Sequence, residues 1–109
     1  MGKFLNFDMS CRIIVADEHA LYREGMIGLL KCLMPEAKMR QAGNLEEVCV
    51  LLENWQPVTM LFIEVVLPGL CSLKVLERLC KERASTAIVV VSAIDDGVVI
   101  SRVMETGVN

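Results

Sequence analysis

The sequence predicts an α/β protein built on a doubly wound parallel sheet with helices on both faces. Two observations predict it. Strand-sized apolar runs alternate with amphipathic helical stripes four times along 109 residues, an order that implies parallel pairing through helical crossovers. The two strongest runs, residues 60–63 and 87–91, are apolar without alternation, as in strands buried on both sides. A composition that is 54% hydrophobic, with a mean hydropathy of +0.50, suits such a sheet. It equally suits a surface that needs a partner.

The elements follow in order. Residues 11–16, Cys-Arg-Ile-Ile-Val-Ala, are rich in β-branched side chains and predict the first strand. Tyr22, Met26, Leu29, Leu30 and Leu33 then fall on one helical face, predicting a helix over about residues 19–34 that Pro35 ends. Residues 38–42 are a weaker second strand, broken by Gly43. Asn44 has the chemistry of an N-cap, with Glu47 at capping-box spacing, and Leu45, Val48, Leu52 and Trp55 line the helix behind it. Residues 60–64, Met-Leu-Phe-Ile-Glu, form the central strand, and Pro68-Gly69 marks a turn. Leu73, Leu76, Leu79 and Cys80 give a third helical stripe, and residues 87–92 a fourth strand. Asp95 or Asp96 is placed to open a last helix reaching about Glu105, with Gly107 at its end.

The totals narrow the function classes. The length supports one domain, residues 11–109, behind a loosely held leader of residues 1–10. A net charge of −3, a pI near 5.1 and scattered basic residues argue against direct nucleic-acid contact. No apolar stretch reaches the ~20 residues of a membrane span, and the first ten residues lack the apolar core of a signal peptide. Cys11, Cys32, Cys49, Cys71 and Cys80 are widely spaced without a C-x-x-C pair, and His19 is the lone histidine. The cysteines therefore read as small hydrophobes in a reducing, cytoplasmic setting rather than as a zinc site.

Chemistry gathers at one edge. In open parallel sheets, ligands bind beyond the carboxyl ends of the strands. Asp17 and Glu18 sit just past strand one, Glu64 ends strand three and Ser92 ends strand four. With strands one, three and four adjacent, all four surround one crevice. Three carboxylates so placed repel one another, and a hard divalent cation such as magnesium, manganese or calcium would relieve the repulsion. The plainer reading is a set of solvated loop acids.

These segments carry a resemblance. Ile14-Val-Ala-Asp-Glu-His-Ala-Leu-Tyr-Arg-Glu-Gly25, Leu61-Phe-Ile-Glu-Val-Val-Leu-Pro-Gly69 and Val89-Val-Val-Ser-Ala93 occur in the order and spacing of a receiver domain of bacterial two-component response regulators. The chain resembles their CheY-like, flavodoxin-like fold, and its opening segment is similar to the NarL/FixJ-type subfamily. The resemblance implies strand order 2-1-3-4-5, a non-enzymatic role in phosphorelay signal transduction, and a histidine kinase or other signalling protein as partner. It implies a magnesium ion held by Glu18 directly, by Asp17 through water, by the Val66 carbonyl and by the acid at position 64. It makes Glu64 the equivalent of the phospho-acceptor and Ser92 the hydroxyl that turns toward the phosphoryl group.

Two departures follow. The family carries aspartate where this chain has Glu64. The extra methylene moves the carboxylate by about 1.5 Å, and a 1 Å error in positioning can cost about a hundredfold. The sequence therefore predicts poor phosphorylation or none, leaving a domain that either imitates the phosphorylated state or is a fixed interaction module. Second, the family's fifth strand and helix fall beyond Asn109, and with them a phosphoryl-binding lysine and a helix-turn-helix output domain. That predicts a sheet of order 2-1-3-4 with an exposed fourth-strand edge, prone to homo-oligomerise. The competing readings are a metal-dependent phosphatase or other enzyme on a similar scaffold, and a structural fragment of a longer transcriptional regulator. Adjacent Asp17-Glu18, where a dehalogenase-type phosphatase has Asp-x-Asp, disfavours the enzyme.

Overall fold

The computed structural model describes residues 11–70, 73–82, 85–94 and 97–104, with side chains described through residue 91 except at 73, 76 and 80. The leader, residues 1–10, lies outside the described residues. The elements run β1 (Arg12–Ala16), α1 (Ala20–Leu33), β2 (Lys38–Ala42), α2 (Leu45–Asn54), β3 (Met60–Glu64), α3 (Leu73–Glu82), β4 (Ala87–Ile94) and β5 (Gly97–Met104). The sheet order is β2-β1-β3-β4-β5. The first four strands are parallel, as the alternation of apolar runs and amphipathic stripes predicts. They form the 2-1-3-4 arrangement of a flavodoxin-like fold.

Local chemistry sets the boundaries. The Met34 N–H donates to the Leu30 carbonyl at 2.7 Å, closing α1 just before Pro35. Asn44 caps α2, its Oδ1 accepting from the Glu47 N–H at 2.8 Å. Glu47 reaches back, but to the Gly43 N–H at 2.6 Å rather than to that of Asn44, a capping box displaced by one residue. Gly69 adopts a φ of +92°, and a Cβ there would lie 3.0 Å from that of Leu45. Glycine thus lets the loop after β3 pack on the start of α2, where the Leu45 N–H donates to the Pro68 carbonyl at 2.8 Å.

The period-two alternation of the strands sorts the core into two faces. Ile14, Ala42, Leu61, Ile63, Ile88 and Val90 face α2 and α3, meeting Val48, Leu52 and Leu79. Ile13 and Val15 face α1, packing with Leu30 and the partly buried Met26, Ile27, Met60 and Phe62. Leu61 and Ile63 are inaccessible to solvent, so each contributes about 1.5–3 kcal/mol of burial.

The C-terminal end differs from the expectation. Gly97–Met104 is not helical. It is a strand, antiparallel to β4, with Ile94 opposite Gly97 and Ile88 opposite Met104. A bulge interrupts the register between Val90 and Val91. Two physical terms favour this over the helix. Val98, Val99, Ile100 and Val103 are β-branched, which suits a pleated surface. An apolar β4 with one unpaired edge also gains a full ladder of hydrogen bonds when the chain folds back. The exposed fourth-strand edge expected from the sequence is thereby occupied within the chain, which removes the ground for homo-oligomerisation through it.

Candidate functional site

Asp17 follows β1 directly and extends its ladder, its N–H donating to the Ala42 carbonyl at 3.0 Å. Its residue is 8% exposed. The carboxylate Oδ1 accepts the His19 N–H at 2.8 Å and lies 3.2 Å from His19 Nδ1. Asp17 therefore shapes the turn into α1, because a short carboxylate capturing an N–H two residues on fixes the chain direction. Arg23 completes this corner, with Nη1 donating to the Asp17 carbonyl at 2.6 Å and Nε to Gln41 Oε1 at 2.8 Å. Arg23 thus ties the β1–α1 turn to β2. The His19 ring sits edge-on to Tyr22 at 5.4 Å.

Glu64 closes β3 opposite Val91 of β4. It is 5% exposed, and its Oε1 is shut off from solvent. The backbone turns at once behind it, with the Leu67 N–H donating to the Glu64 carbonyl at 3.1 Å.

The sheet brings two of the predicted acids together. Asp17 has the parity of Ile13 and Val15, and Glu64 that of Met60 and Phe62, so both fall on the α1 side. They line one cavity of about 380 Å³ with Tyr22, Leu29, Phe62 and Val91. The other predicted positions are not gathered there. Glu18 is exposed, Val66 is exposed, and neither lines that cavity. Ser92 lies on β4, but its side chain is outside those described.

Among the described residues, no group of three or more His, Cys, Asp or Glu side chains is placed to hold a metal ion. Asp17 Oδ1 is already engaged by His19, and Glu18 is at the surface. Magnesium is held by as few as one or two carboxylates with water completing its shell, and Asp17 and Glu64 are the predicted acids left beside the cavity. Sequence reasoning had no way to see the tie made by Arg23, which depends on the neighbouring β2, and it missed the internal use of Asp17. The signal available was local: an Asp two residues before a helix start is a common turn former.

The comparisons with known proteins add a distant likeness. A glycerol metabolism activator of Pseudomonas putida is 24% identical over 96 residues, covering 88% of this chain and 43% of that protein. The chain thus spans less than half the length of the curated relative it matches. No protein-family profile matches the chain. Among the described residues, no helix is long and apolar enough to cross a membrane.

Proposed function

We propose that the chain is a receiver-type module of a bacterial regulatory protein, acting in the cytoplasm through a protein partner such as a histidine kinase. One observation supports this above the rest. Glu64 ends the central strand of a 2-1-3-4 sheet and shares a cavity with Asp17, the place where the resemblance puts the acceptor and its acidic neighbour. The name of the distant relative, an activator of metabolism, agrees with a regulatory role.

In this proposal the module is fixed and does not switch by phosphorylation. Glutamate carries one charge, whereas a phosphoryl group carries nearly two with three acceptor oxygens. Magnesium is a subordinate part of the reading. Asp17 and Glu64, which share the cavity, would hold it together with water; calorimetry at millimolar magnesium is expected to give heat of binding, and no heat would remove magnesium from the reading.

The test is labelling with a small phosphodonor, comparing the unmutated chain with Glu64→Asp. The expected result is no stable label on the unmutated chain and a measurable gain in the variant, whose shorter carboxylate recovers the in-line geometry. Strong labelling of the unmutated chain at Glu64 would overturn the proposal.

A further inference from the structure

The sheet has a second edge that the receiver reading does not use. β2 is the outermost strand on that side, and among the described residues nothing pairs with its outer edge. The direction of its hydrogen bonds follows from the register. The Lys38 N–H donates to the Cys11 carbonyl at 2.9 Å, and the Ala42 carbonyl accepts from Asp17. Residues 38, 40 and 42 therefore spend their backbone groups on β1, and Met39 and Gln41 turn theirs outward, because alternate residues of a parallel strand serve opposite neighbours.

One side of this edge is basic, while on the other Arg40 and Gln41 line a cavity with Glu46 and Glu47 of α2. A cavity of about 630 Å³ runs along the basic side, lined by Lys31 of α1, Lys38, Met39, Arg40 and Gln41 of β2, and Trp55. Lys31, Lys38 and Arg40 are exposed, and among the described residues none forms an ion pair within 4 Å. The guanidinium carbons of Arg40 and Arg12 lie 5.1 Å and 5.3 Å from the Trp55 ring centroid. Arg40 is thereby held beside the edge. Glu36, in the turn before β2, does not line the cavity.

We infer that the outer edge of β2 accepts an extended acidic segment of a partner protein as an added strand. Two pairs of outward backbone groups supply the register, and three cations select the charge of the incoming strand. The same cations argue against a second copy of this chain as the occupant. Pairing β2 with β2 would bring lysines and arginines of both copies together along one edge, and like charges across a sheet are destabilising. The inference goes beyond the receiver reading and stands without it, since it uses none of Asp17, Glu18 or Glu64.

The test titrates the full chain with an eight-residue peptide alternating glutamate and valine, followed by the emission of Trp55, the sole tryptophan. A second peptide of the same sequence is N-methylated at alternate residues, and a third replaces glutamate with lysine. The account expects the acidic peptide to bind and to weaken with salt. N-methylation on the pairing side and the double variant Lys38→Glu, Arg40→Glu should each cost at least tenfold. Both substituted positions are exposed, and the cooperative melt of the variant checks that it folds. Equal affinity for the N-methylated peptide would overturn the inference by showing charge attraction without strand addition. Equal affinity for the lysine peptide, or no binding at millimolar concentration, would overturn it as well. A dimer of the chain that the acidic peptide dissociates, seen by sedimentation, would overturn it by making a second copy the occupant.

Discussion

The two faces of the sheet are built unequally. Among the described residues, twelve buried side chains form one cluster toward α2 and α3, among them Ile14, Leu61, Ile63 and Val90. Toward α1, five form the other. α1 itself leaves Leu21, Tyr22, Leu29 and Leu33 between 50% and 79% exposed. The candidate site lies on the thinner face, since Asp17 and Glu64 share its parity and its cavity. The first face is a core in the ordinary sense and carries the stability. The second trades burial for access, and leaves polar groups within reach of an apolar groove.

That contrast can be broken or sharpened by substitution. The largest effect is expected at Ile63, which is inaccessible to solvent between α2 and α3. Ile63→Ala should cost about 3–4 kcal/mol in urea unfolding, within the usual range for a buried isoleucine. Leu30→Ala, on the α1 face, should cost about 2 kcal/mol, because a site near an open groove relaxes or admits water more easily. Equal costs at the two positions would erase the distinction between the faces.

A smaller loss is expected at the loop after β3. Gly69→Ala combines a positive φ with a Cβ placed 3.0 Å from that of Leu45, and should cost about 1–2 kcal/mol. Asn44→Ala removes the N-cap acceptor of α2, and should lower the unfolding free energy by about 1 kcal/mol. The smallest effect is expected on the exposed side of α1. Leu29→Ser should leave stability within about 0.5 kcal/mol while raising the concentration at which the chain stays dispersed. A large loss from Leu29→Ser would mean that this face is covered after all.

Much of the fold was legible in the sequence. Three apolar runs and three amphipathic stripes carry their periodicity locally, and Asn44 and Pro35 mark boundaries by chemistry that needs no neighbour. Glu64 was legible for the same reason, as a carboxylate ending an otherwise apolar strand. Other features were set by tertiary context. Val98 to Val103 had β-branched composition, yet the acidic pair before it read as a helix start, and only the open side of β4 decided for a strand. The bond from the His19 N–H to Asp17 was not legible, because it depends on how the turn closes. Glu18, beside it in sequence, lies at the surface in the bend that follows β1.

The central claim is that the module has the receiver arrangement without the receiver switch. Amide spectra of the full chain in saturating magnesium, recorded with and without phosphodonor, test it most directly. The account predicts that the signals of Asp17, of Glu64 to Val66 and of Val91 to Ser92 stay in place. Shifts shared by those three groups of amides, appearing with the phosphodonor and reversing as it decays, would contradict it.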